Sequence, residues 1–148
     1  MLKIVKKWRV RLVAPLFFAI FAAVGKIIVY NSKMEDYSSE PNNFPIYRPH
    51  PLGNPFTHNG KRSNLAKLSF PTRDEAIDAY QLYFKKMYGK SKEFTDAFDE
   101  IYEHYKNGED VYLQCFCKPE RCHGDIIANE LQKKLIKERR KSNGAGKE

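Results

Sequence analysis

Three cysteines within eight residues, Cys115, Cys117 and Cys122, sit where a strand gives way to a helix, and that junction constrains the fold more than any other stretch. Val111 to Cys117 is almost continuously apolar, as expected of a buried central strand, and Pro119 breaks it. From about Cys122 a helix is expected, with Ile126, Ile127, Leu131 and Leu135 as its apolar stripe. Lys26 to Asn31 reads as the first core strand. Between the two strands lie two helical patterns. In the first, Thr72 and Glu75 have the spacing of a capping box. Ala76, Ile77, Tyr80, Phe84 and Met87 or Tyr88 follow at three- and four-residue steps, and Gly89 stops the helix. The second runs from about Ser91 to Lys106 with Phe94, Phe98, Ile101 and Tyr105 on one face, and Asn107-Gly108 ends it. Strand, helices, strand and helix imply a parallel strand pair with a right-handed crossover. The expected class is α/β, a small Rossmann-like domain of two or three layers with about three helices.

The chain divides by composition into a basic and hydrophobic leader (1–25), one α/β domain (26–140) and a disordered tail (141–148). The 148 residues carry a net charge of +8, but the excess sits at the ends. Residues 1–25 hold five basic residues and no acid, and residues 133–148 are net +5, which leaves residues 26–132 at −2. A groove for a phosphate backbone requires the charge to be built into the fold, so nucleic acid is not the favoured partner. Leu12 to Val24 is an apolar run of 13 residues, interrupted only by Pro15. As a helix it spans roughly 20 Å, short of the ~30 Å of a bilayer core. A basic segment ahead of such a run has the layout of an export signal, so residues 1–25 read as signal, membrane anchor or plain extension. A cytoplasmic location is favoured, with export or membrane association through residues 12–24 as the alternative.

Ser32 to Phe70 is expected to be irregular, rich in Pro, Asn, Ser and Gly. A loop this long in a compact domain is often functional. Its centre, Tyr47 to Phe56, has four prolines counting Pro45, and Gly53-Asn54 is a turn signal.

The junction admits three chemistries. Cys115 and Cys117 are two apart on a strand, and their side chains are expected on one side. With Cys122 and His123 they form a Cys3His set suited to zinc. Alternatively, unpaired N–H groups at the start of the last helix favour a phosphate or carboxylate. There Cys122 would gain a lowered pKa and serve as nucleophile, with His123 as acid or base and Asp125 as the third catalytic candidate. Gly124 would then admit close backbone approach of the ligand. The plain alternative is buried small hydrophobes and a histidine that caps the helix; for Cys115 alone that is the better reading. Arg48, Gly53, Asn54 and Arg73 are the further candidates for ligand contact.

Gly53-Asn54-Pro55-Phe56, Arg73-Asp-Glu-Ala-Ile-Asp-Ala-Tyr80, and Cys115-Phe-Cys-Lys-Pro-Glu-Arg-Cys-His-Gly-Asp125 with Ala128 together resemble the family called domain of unknown function 4326, small phage and bacterial proteins. The resemblance covers about residues 26 to 135. Family members carry Ile-Gly-Arg before the Gly-Asn-Pro-Phe turn; here Ile46-Tyr47-Arg48 keeps the arginine and loses the small residue. The resemblance implies a compact α/β fold and one site built from both motifs, without implying an activity. If the two strands pair in parallel, both connections leave the same sheet edge, and Asn54 and His123 are expected to meet over one ligand. That ligand is expected to be anionic and nucleotide- or nucleoside-like, with Arg48 or Arg73 supplying positive charge. The zinc module without chemistry of its own is the alternative.

Overall fold

The structure, a computed structural model, describes residues 23–58 and 66–144. The leader therefore lies outside the described residues except for 23–25. Among the described residues no helix is long and apolar enough to cross a membrane.

The main sheet has three parallel strands in the order β1 (Ile27–Asn31), β5 (Val111–Cys115) and β2 (Asn43–Pro45). Register pairs Ile27 with Val111 and Asn31 with Cys115, so the C-terminal ends of β1 and β5 are level. Three short strands, β2, β3 (Phe56–His58) and β4 (Leu68–Phe70), occupy the stretch expected to be irregular, with β3 and β4 pairing in parallel as a second small sheet. Three residues leave no room for a readable period of two, and tertiary pairing makes the strands.

The helices are α1 (Arg73–Met87), α2 (Lys92–Lys106) and α3 (His123–Gly144). Both halves of the Thr72–Glu75 capping box form, and Ser91 caps α2 by accepting from Phe94 N. Each helix buries the stripe its spacing indicates, Ala76, Ile77, Tyr80 and Phe84; Phe94, Phe98, Ile101 and Tyr105; Ile126, Ile127, Leu131 and Leu135, except that Met87 and Tyr88 are only partly buried against the core. Tyr102 joins the core as well, its hydroxyl donating to Glu138 at 2.8 Å and its ring lying under the Lys134 ammonium. Helix α3 continues to Gly144, so residues 141–144 of the expected tail are helical.

β5 is central, yet it is not uniformly apolar in its surroundings. Val111, Leu113 and Cys115 are buried, while Tyr112 and Gln114 are half-buried. Val111 and Leu113 join the main hydrophobic core with residues of all three helices. The other face is covered by loop residue Tyr37, whose ring meets Tyr30 at 5.2 Å and Tyr112 at 5.1 Å. Asn43 Nδ2 donates to the Tyr30 hydroxyl and the Tyr37 carbonyl, which fixes that cover in place.

Candidate functional site

The segment from Ile46 to Phe56 runs from β2 to β3 and is held by two hydrogen bonds that no local pattern encodes, from side chains that also meet each other. The Tyr80 hydroxyl on α1 donates to the Leu52 carbonyl at 2.7 Å. His123 Nε2 lies 2.7 Å from the Ile46 carbonyl, and because a carbonyl only accepts, that nitrogen carries the proton. The Tyr80 and His123 rings meet edge to face at 5.1 Å. Gly53 closes the turn: a Cβ there would lie 2.8 Å from Arg48 N and 2.9 Å from the His50 carbonyl. At the other motif, Asn31 ends β1 and donates through Nδ2 to the carbonyls of Phe116 and Lys118, shaping the turn after β5.

Between these segments lies a cleft of about 290 Å³. Arg48 and Asn54 border it from the first motif, and Cys117 and His123 from the second. Arg73, at the start of α1, lies on its wall with Tyr47, Phe56 and Phe116. Asn54 and His123, expected to approach one ligand, thus border one space. Asn54 Oδ1 accepts from Phe56 N at 2.9 Å, an Asx turn that leaves its amide nitrogen free of that bond. The Tyr47 and Phe116 rings lie 4.5 Å apart, and Phe116 is 54% exposed, a large apolar surface beside the cleft.

Two cations serve this space. Arg73 Nη1 is engaged by Glu120 at 2.7 Å. Arg48 differs: its Nη1 is buried and has no hydrogen-bond partner among the described residues. A buried guanidinium nitrogen without an acceptor is costly, and native folds rarely leave one without a reason.

His123 is 6% exposed, and burial pushes its pKa down to about 4, against the bond to the Ile46 carbonyl and with the Arg48 charge adding to the depression. It is neutral at pH 7, with Nδ1 as its lone-pair nitrogen. The Cys117 thiol is raised, chiefly by burial and the Cys115 charge, with Arg73 opposing. It stands protonated beside the cleft.

The remaining candidates lie elsewhere. Cys115 is the last residue of β5, and Cys117 lies beyond the strand, so the two-residue alternation ends before it reaches Cys117. Cys115 and Cys122 are both fully buried with their sulfurs 3.5 Å apart. The hydrogen bond from the Cys122 thiol, with the N–H groups of Lys118 and Cys117, draws Cys115 down against its burial. The same bond, together with burial, pushes Cys122 up. A thiol so held, with no face on the cleft, is not the activated nucleophile expected at this position. Asp125 is the helix cap instead: its carboxylate accepts from Cys122 N at 3.0 Å and pairs with Lys118. Its negative charge at the start of α3 disfavours an external anion there, so positive charge for a ligand comes from the arginines. Gly124 is hemmed in by protein: a Cβ would lie 2.6 Å from Val29 Cγ1 and 3.0 Å from Ile46 Cδ1. It lets α3 pack onto β1 and does not face a ligand. Nor do the four side chains of the zinc alternative converge. His123 Nε2 is committed to Ile46, and among the described residues no three His, Cys, Asp or Glu side chains are grouped to hold a metal.

Asn31 and Tyr80 were not among the sequence candidates. The asparagine at the end of β1 was a legible signal, since an amide there can bridge to the next strand's turn; a core tyrosine in a helical stripe carries none.

Comparison with the curated proteins and with the solved structures gives no match. The pattern of one family, described as Domain of unknown function (DUF4326), matches residues 29–133, which spans β1 to the middle of α3 and contains every cleft residue named above. The chain belongs to that family.

Proposed function

We propose that the cleft between Arg48–Phe56 and Phe116–His123 binds a small anionic ligand of the nucleoside monophosphate class. The observation that carries this reading is Arg48, whose buried Nη1 has no acceptor in the protein. A phosphate oxygen satisfies such a nitrogen with a charge-assisted bond, and Arg is suited to bidentate anion contact. Arg73 supplies a second cation, already holding the Glu120 carboxylate as an anion would be held. Tyr47, Phe56 and Phe116 offer aromatic surface for a planar ring. The neutral imidazole of His123 offers an acceptor to a ligand hydroxyl, and the Asn54 amide a donor. The volume of about 290 Å³ is close to the lower limit of the roughly 300–1,000 Å³ typical of ligand pockets, which favours a mononucleotide over a dinucleotide.

The test is thermal unfolding of the full chain with AMP, GMP, CMP, UMP and inorganic phosphate in turn. A bound ligand at 100 times its Kd adds about 2.7 kcal/mol, a shift of several degrees. At least one mononucleotide is expected to give that shift, and Arg48→Met to abolish it. No shift with any of the four overturns the proposal.

A further inference from the structure

The sulfurs of Cys115 and Cys122 touch at 3.5 Å without being bonded, and all three cysteines of the chain are free thiols. Both touching residues are fully buried, one ending β5 and the other immediately preceding α3. Cys117, by contrast, borders the cleft. We infer that Cys115 and Cys122 form a two-electron redox pair that a water-sized oxidant, hydrogen peroxide, closes to a reversible disulfide at the base of the junction. The chemistry balances within the pair. The Cys115 sulfur attacks one peroxide oxygen, an S–O bond forms, the O–O bond breaks, and hydroxide takes up the thiol proton as water. The Cys122 sulfur then attacks the Cys115 sulfur, the S–S bond forms, the S–O bond breaks, and a second water leaves. Two thiols and one peroxide yield one disulfide and two waters.

Contact between the sulfurs gives this outcome precedence over deeper oxidation. A sulfenic acid at Cys115 has the second thiol against it, so intramolecular capture precedes the arrival of another peroxide. Both sulfurs are fully buried, so an oxidant reaches them only through local opening, which needs to be smallest for a water-sized molecule and far larger for a bulky disulfide such as glutathione disulfide. Closure carries a structural consequence. The S–S distance falls from 3.5 Å to roughly 2.05 Å, a closure shared between side-chain rotation and approach of the residue before α3 to the end of β5. His123 is the next residue and holds the Ile46 carbonyl, so any shift of Cys122 on closure is passed to the segment that borders the cleft. The inference stands independently of what the cleft binds.

The experiment treats the folded full chain with hydrogen peroxide, quenches with catalase, unfolds in alkylating agent, and maps peptides without reduction. Alkylatable thiols are expected to fall from three to one, with a Cys115–Cys122 linked peptide and alkylated Cys117, and dithiothreitol is expected to restore all three. Cys117→Ser, which leaves the pair untouched, is expected to form the same link. Retention of three thiols, oxidation confined to Cys117, or a link that includes Cys117 overturns the inference.

Discussion

His123 donates through Nε2 to the carbonyl of Ile46 at 2.7 Å, a bond between residues 77 positions apart that ties the strand-to-helix junction to the proline-rich segment. The accepting carbonyl by itself favours the protonated ring, but burial outweighs it and keeps the imidazole neutral, with Nδ1 holding its lone pair. The contact also sets a pH dependence.

The folded pKa of His123 is about 4 against an ordinary value of 6.5. Between these values the unfolded chain binds the proton and the folded chain does not, so stability rises with pH. The contribution is fully present above pH 6.5 and is lost as pH falls toward 4, on the order of 3 kcal/mol over the window. Urea unfolding at pH 7, 5.5 and 4.5 checks this. Wild type is expected to lose stability more steeply than His123→Gln, and parallel slopes would assign the pH dependence to other groups.

Tyr80→Phe removes the donor to the Leu52 carbonyl and leaves that acceptor buried. The expected cost is about 1–3 kcal/mol, with no change in core volume. Leu52 belongs to the segment bordering the cleft, so protease cleavage within residues 47–56 is expected to increase. Unchanged melting would mean the hydroxyl finds no worse partner in water.

Gly124→Ala places a Cβ 2.6 Å from Val29 Cγ1 and 3.0 Å from Ile46 Cδ1. Alanine favours a helix over glycine by roughly 1 kcal/mol, but overpacking against a β-branched side chain costs about 1–3 kcal/mol. A net loss of stability is expected in a denaturant melt. A gain would show that β1 and α3 separate at little cost.

Arg48→Met separates binding from folding. It removes a buried guanidinium nitrogen that has no partner, so the free protein is expected to melt at or a few degrees above wild type. The same variant is expected to lose the shift produced by a mononucleotide. A strongly destabilised variant would show that Arg48 serves the fold.

The sequence by itself determined the elements that obey local rules. A capping box at Thr72 and Glu75, apolar residues at helical steps and glycine after each of the first two helices specify α1 and α2, because these signals act within one or two turns. Eleven contiguous residues from Cys115 to Asp125 marked the junction for the same reason. Tertiary structure decided what each residue there does. Whether Cys122 faces a cleft or Cys115, whether Gly124 meets a ligand or Val29, and whether Asp125 reacts or caps depend on how α3 lands on β1 and β5. The Gly124 contacts join residues far apart in the chain. Cys122 lies only seven residues from Cys115 and three from Asp125, but which way each side chain turns is set by packing of buried surfaces, which neither period nor spacing records. The stranded nature of residues 43–45, 56–58 and 68–70 was hidden likewise, since backbone pairing across the fold, not side-chain alternation, creates strands of three residues.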